Sequence, residues 1–309
     1  MGIQSETALS QSYSLIENNK IDQAKVLLED ALTADLDNID LVFAVRCCSF
    51  WLEVLENFDQ LDFFEQGETL VNQWKRFRQL VDREKEPLEN TVYAFRKSIF
   101  SRALESYRSL FDDTNTDIKA EVYRKSGLCY KKLGSYETAL GCLTEANSLA
   151  PGSAAILAEM ADCYALCGDD KHAKVLFREA FFVDAQKVEL SFLDSPLIKV
   201  LVEQVQAKGY EGNELQEWIP VWGVLYGVFS VKRELRSQES GKLKQEIYAR
   251  ENELKDPGNN SALITPRLLN LYFWLIDHYV MTKESVTKIN EVLLKIKILD
   301  AAIYKLYVK

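Results

Sequence analysis

Between residues 120 and 187 the pattern of large apolar, small and polar side chains repeats with a shift of 34 residues. Setting 120–153 on 154–187 aligns Cys129 with Cys163, Tyr130 with Tyr164, Gly134 with Gly168 and Ala139 with Ala173. Leu143 then meets Phe177, Glu145 meets Glu179 and Ala146 meets Ala180. In each unit the spacing predicts two antiparallel helices. Tyr123 and Tyr130 share one face of the first, Gly134 breaks the chain, and Ala139, Leu143 and Ala146 line one face of the second. Small residues at Gly127, Ala139 and Ala146 let the two helices approach closely. A third, degenerate copy spans 5–38, with Leu15, Ala24, Leu28 and Ala31 in register and Asn19 at the turn.

Elsewhere the pattern stays helical but loses the period. It predicts helices over 41–58, 61–82 and 87–111, the last opened by Pro87. Past Val188 it predicts an amphipathic helix over 196–207, a strongly apolar one over 213–231 and a highly charged one over 232–255. A loop follows at 256–265, opened by Asp256-Pro257-Gly258. The segment 266–281 is apolar on nearly every side and must be buried, and 284–307 carries an apolar stripe that suits a cover over it.

The two central units resemble the tetratricopeptide repeat family. Its pattern falls on Tyr123, Ser126, Gly127, Tyr130, Ala139, Leu143, Ala146 and Pro151, and again on Leu157, Met160, Ala161, Tyr164, Ala173, Phe177, Ala180 and Ala185. Ser126 replaces the usual leucine and Ala185 the usual proline. The resemblance implies an all-α, right-handed helical solenoid with long non-repeat helices and a helical C-terminal cap. The chain divides accordingly into divergent N-terminal helical repeats (1–118), the two repeat units (119–188) and a C-terminal helical region (189–309).

The family also implies a concave groove that takes an extended or helical peptide. Its positions fall on Glu121, Arg124, Leu128, Lys131 and Lys132 in one unit and on Ala158, Asp162 and Leu166 in the next. That would make a basic end beside a shallow apolar floor with one acid. Packing of the same positions against the chain's own long helices is the competing expectation. Leu128 stands where chaperone-binding members carry an asparagine, and Asp162 would repel a carboxylate, so a chaperone co-adaptor is disfavoured.

Composition narrows the function classes. With 13 Gly and 6 Pro in 309 residues the chain has few turns, which argues against a sandwich, a barrel or a glycine-loop nucleotide fold. Its net charge of −10 argues against generic binding to nucleic acid or to anionic lipid. The cysteines at 47, 48, 129, 142, 163 and 167 form no CxxC and sit among apolar residues, as reduced core side chains do. No HExxH, GxSxG, Walker A or GxGxxG motif occurs. Of the two histidines, His172 reads as a surface residue and His278 as a buried imidazole satisfied by a neighbour. No enzymatic activity, cofactor or metal site is therefore expected.

The expected function is a non-catalytic scaffold or adaptor that binds other proteins. A homo-oligomer stays open. A weaker resemblance, through the string from Arg267 to His278, is to bacterial flagellar-collar helical-repeat scaffolds, which would tie it to motility. The alternative is a small-molecule or lipid-binding helical protein whose apolar cavity is lined by 218–231 and 268–281. Residues 1–18 hold no basic n-region and no apolar stretch, and the longest apolar run, 218–231, is too short to span a bilayer. Cytoplasmic placement is expected, with a periplasmic one open if residue 1 is not the native start.

Overall fold

The computed structural model describes residues 3–84, 87–112 and 116–309. Among these residues it is all-α, with fifteen helices and no strand. The chain divides into two compact units, Met1–Pro151 and Gly152–Lys309. No helix among the described residues is long and apolar enough to cross a membrane.

The first unit contains α1 (Ile3–Glu17), α2 (Ile21–Ala34), α3 (Ile39–Leu55), α4 (Phe63–Val81), α5 (Glu89–Arg108), α6 (Thr116–Lys132) and α7 (Tyr136–Leu149), with a short 3-10 turn at Phe58–Gln60. Neighbours along the chain pack against one another, and α1 also packs on α5. Asn38 caps α3 by accepting the backbone N–H groups of Asp40 and Leu41, and Asp62 forms a capping box with Glu65 at the start of α4. Off the repeat, the core is aromatic. Trp51 of α3 stacks on Trp74 of α4 at 6.3 Å and on Phe95 of α5 at 6.4 Å, and Phe77 fills the space among the three. Helices α4 and α5 come close because residue 67 is glycine; a Cβ there would stand 2.5 Å from the Tyr107 ring.

The second unit contains α8 (Ala154–Leu166), α9 (Asp170–Asp184), α10 (Pro196–Gln206), α11 (Gly212–Leu225), α12 (Ser237–Glu253), α13 (Ser261–Met281), α14 (Val286–Leu299) and α15 (Ala301–Tyr307). Its core gathers Phe177 and Phe181 of α9, Ile219 and Val221 of α11, and the nearly all-buried run Leu268–Ile276 of α13. Helix α14 lies over α13, as a cover for an all-round apolar helix should.

The 34-residue ladder has a backbone counterpart. Helices α1, α6 and α8 end at 17, 132 and 166, and α2, α7 and α9 begin at 21, 136 and 170. Each turn passes through one left-handed residue, Asn19 (φ 59°), Gly134 (φ 83°) and Gly168 (φ 84°). Each closes with the same pair of bonds. Lys20, Ser135 and Asp169 donate their N–H groups to the carbonyls of Leu15, Tyr130 and Tyr164, while Asn19, Gly134 and Gly168 donate to Ile16, Lys131 and Ala165. This is a Schellman closure, which needs positive φ at its left-handed position and so favours glycine or asparagine. Beyond the turn, Ala24 and Leu28, Ala139 and Leu143, and Ala173 and Phe177 are all fully buried. Facing them stand the small residues Ser12, Gly127 and Ala161, all buried. A Cβ on Gly127 would lie 2.7 Å from Leu143 Cγ.

Several boundaries differ from the sequence expectation. The charged helix begins at Ser237 rather than Lys232, because α11 stops at Leu225 and residues 230–236 run without helix. Gly227, at φ 74°, ends α11, and Phe229 folds back so that its N–H donates to the Gly223 carbonyl at 2.9 Å. The loop expected over 256–265 closes at Asn260, which caps α13 by accepting the Ala262 N–H; Pro266 falls inside the helix. The last stripe is two helices, broken at Asp300, which accepts the N–H groups of Ala302 and Ile303. Cys47, Cys48, Cys129 and Cys163 are buried as expected, Cys142 is half-buried, and Cys167 is exposed. Burial pushes the Cys48 thiol up to about 12 and holds it protonated.

Two glycines in helices should respond oppositely to alanine. At Gly223 a Cβ would run into the Phe229 ring, whereas at Gly241 of α12 nothing lies within 4 Å. Gly223→Ala should lower stability by about 1–3 kcal/mol, and Gly241→Ala should raise it by up to about 1 kcal/mol. Urea denaturation followed by circular dichroism checks both signs.

Candidate functional site

Six of the eight groove residues expected from the repeat pattern are buried: Arg124, Leu128, Lys131, Lys132, Ala158 and Asp162. Glu121 and Leu166 are partly exposed. On α6, Arg124 makes a two-pronged contact with Glu121, Nε at 2.8 Å and Nη2 at 2.6 Å. The adjacent Lys125 reaches Glu68 of α4 at 2.8 Å, and Glu68 also accepts the Tyr107 hydroxyl of α5 at 2.7 Å. Burial, reinforced by the Glu68 charge, pushes the Tyr107 hydroxyl pKa up and holds it protonated. Lys125 thus ties α6 by charge to Glu68 of α4, which Tyr107 of α5 joins by a hydrogen bond.

In the second unit Asp162 holds the backbone that leads into α10. Its two carboxylate oxygens accept the backbone N–H groups of Asp194 and Ser195, each at 2.8 Å, just ahead of Pro196 at the start of α10. A buried carboxylate needs such donors. Ala158 packs in the apolar core of the same unit.

The densest polar arrangement in the second unit lies elsewhere. Arg178 of α9, 3% exposed, pairs with Asp277 of α13, also 3% exposed. It donates as well to the Val231 carbonyl and lies over the Trp274 ring at 4.5 Å. Lys232 Nζ stands 2.8 Å from the other oxygen of Asp277, an ion pair that lacks the alignment of a hydrogen bond. Arg233 bridges Glu179 and Glu239, and the Leu235 N–H donates to His278 Nδ1 at 3.3 Å. Residues 231–235 are thus strapped across α9 and α13 by side chains in place of helical hydrogen bonds. His278 has the neighbour the sequence suggested but is half-buried rather than buried, and His172 is the exposed residue expected, joined to Asp169 at 2.6 Å.

Two clefts flank this network within the second unit. One, of about 560 Å³, runs between the end of α9, α12 and α13. Its wall holds the buried Glu217, which accepts from Arg267 and from Gln186 Nε2 at 2.8 Å, with Lys242, Glu239 and Glu246 nearer its edge. The other, of about 550 Å³, is lined by Val224, Leu225, Phe229 and Ser230 on one side and by Ile276, Asp277, Leu293 and Leu306 on the other. It therefore joins parts of the segments 218–231 and 268–281 that the sequence nominated for an apolar cavity. At its side Tyr307 stacks on Phe273 at 4.3 Å; burial, with the Asp277 charge, pushes its hydroxyl pKa up and keeps it neutral.

Sequence reasoning singled out neither Arg178 nor Asp277 as a pair. The signal was present in each helix separately: an arginine between Phe177 and Phe181, and an aspartate in the run Leu268–Val280. A lone charge in an apolar helix demands a counter-charge. Among the described residues no group of three or more His, Cys, Asp and Glu side chains is placed to hold a metal ion. No protein-family model matches the chain, and no curated protein matches it in sequence.

Two outcomes follow from the network. Asp277→Leu leaves Arg178 buried without its counter-charge and should cost about 3–5 kcal/mol, whereas Arg178→Met with Asp277→Leu should recover most of that loss; a double-mutant cycle in urea reads the difference. The hydrogen bonds from Arg233 hold the Glu239 carboxyl below its usual 4.5. A depressed carboxylate adds stability above pH 4.5 that is lost as pH falls through its folded-state pKa. Arg233→Met should therefore raise the Glu239 pKa in a carbon-detected NMR titration and flatten the acid limb of the stability curve.

Proposed function

We propose that the protein is a non-catalytic scaffold built on tetratricopeptide-type hairpins, whose second unit holds a protein partner against its last two helices. The observation that carries this reading is the apolar face left uncovered on α14. Leu294 and Ile298, one helical turn apart, are 56% and 78% exposed. A solvated helix in a monomeric domain buries its apolar stripe, and α14 already does so through Val292 and Ile296. The second stripe, on another face of the same helix, suits a contact made outside this unit. The exposed Lys297, next to Ile298 on the same helix, favours a partner with acidic residues around an apolar anchor. The repeated hairpin register supports the tetratricopeptide part of the reading. The buried state of Arg124, Lys131 and Lys132 favours this face over the family's groove.

Replacing both Leu294 and Ile298 with aspartate should leave the circular dichroism spectrum and the melting temperature unchanged, because neither side chain is in the core. Partner affinity should fall by at least about tenfold, since two apolar anchors are removed at one contact. Affinity capture with quantitative mass spectrometry compares wild type and variant. A discrete partner retained at equal occupancy by the folded double variant overturns the reading.

A further inference from the structure

We propose that the cleft between α11, α13, α14 and α15 is a binding site for a single-chain anionic amphiphile, a medium-chain fatty carboxylate. The proposal is independent of the scaffold reading, which rests on a different face of α14. Three observations carry it. The volume, about 550 Å³, is that of a small-molecule site. Its apolar wall is made by Val224 and Leu225 from the end of α11, Ile276 from α13, Leu293 from α14 and Leu306 from α15, while Ser230, Lys232, Asp277 and Lys309 bring polar groups to the same open cleft. The charged side chains that line it are Lys232, Asp277 and Lys309, and the one acid among them is already neutralised from behind by buried Arg178.

The charge balance selects the sign of the ligand. Asp277 faces two cations, Arg178 and Lys232, so the three groups together keep one positive charge. Arg178 is fixed by Asp277, the Val231 carbonyl and the Trp274 ring. Lys232 is 45% exposed, and its contact with Asp277 lacks hydrogen-bond alignment. It can therefore turn toward a carboxylate at the cleft edge while Arg178 continues to neutralise Asp277. Tyr307 is neutral there and adds no negative charge. A cationic amphiphile would meet Lys232 with no unneutralised acid to hold it. A neutral alcohol would keep the chain contacts and lose the head-group attraction.

The test is isothermal titration calorimetry of the full chain with octanoate, decanoate and dodecanoate below their micelle concentrations. Dodecanol and a dodecyl ammonium salt serve as head-group controls. Saturable one-site binding is expected, tightening by up to about fourfold for each methylene, with the carboxylate at least about tenfold tighter than the ammonium. Lys232→Glu should weaken dodecanoate by about tenfold or more and dodecanol by less than about twofold, which isolates the head-group contact. Leu293→Trp should block every chain; if that variant melts early, Ser230→Trp, from an exposed position at the cleft edge, serves the same purpose. The Leu294 and Ile298 double variant should bind dodecanoate as wild type does. No saturable binding overturns the proposal, as does equal affinity for carboxylate and ammonium, or binding unchanged in both Lys232→Glu and the tryptophan variant. Co-sedimentation with phosphatidylglycerol vesicles without binding of monomeric dodecanoate would also overturn it, because the site would then be reading a membrane surface.

Discussion

Arg178 is a full charge held out of water on the buried face of the amphipathic helix α9, beside Phe177 and Phe181, and the polar contacts of α9 with α13 are arranged around it. A guanidinium in such a place needs an anion and acceptors for its remaining N–H groups. Asp277 supplies the first, which ties α13 to α9, and the Val231 carbonyl supplies an acceptor. Gly227 ends α11, and the non-helical run 231–235 beyond it lies across α9 and α13. The strap brings Lys232 to Asp277 and Arg233 to Glu179 and Glu239. The cleft beside it is a consequence, since Phe229 and Ser230 are turned away from the line α11 would otherwise have followed.

The three hairpins, two in the first unit and one in the second, meet a different constraint. They work because the helices touch through small residues, and a chain that must reverse in three residues has one economical way to do so. The left-handed residue at 19, 134 and 168 occupies the same place in each hairpin, and the buried alanines after it fall at the same distance. Between the first and second of these hairpins, α4 and α5 still meet closely at Gly67, and Trp51, Trp74, Phe77 and Phe95 add an aromatic cluster among α3, α4 and α5. The repeat signal vanishes there, from 39 to 118, while the chain remains helical.

For function, the consequence is a shift of attention from the hairpins to the C-terminal helices. Two of the groove positions expected from the repeat pattern make internal contacts: Arg124 with Glu121, and Asp162 with the backbone of Asp194 and Ser195 ahead of α10. Two surfaces of the second unit stand out beside them, the exposed apolar pair on α14 and the cleft lined by Lys232. One offers apolar anchors with basic neighbours, and the other offers a hydrocarbon slot with a positive edge. They share the helix α14 but use different residues of it, the exposed Leu294 and Ile298 for one and the half-buried Leu293 for the other.

The sequence by itself determined what depends on near neighbours along the chain. Helical periodicity, the 34-residue register and the turn residues are all local, and the helices they predict are present, with ends moved by a few residues where a cap such as Asn260 or Asp300 decides. The paired segments of the cleft were legible too, because a helix that is apolar all round has to face other apolar elements. What only the tertiary structure decided were the pairings of charges far apart in sequence. Arg178 and Asp277 are 99 residues apart, and Glu217 and Arg267 are 50 apart. Periodicity places a charge on a face but cannot say which distant charge will meet it. Whether Arg124, Lys131 and Asp162 face water or protein belongs to the same class of question. Burial is a property of what comes to lie over a residue, and that is set by the fold as a whole.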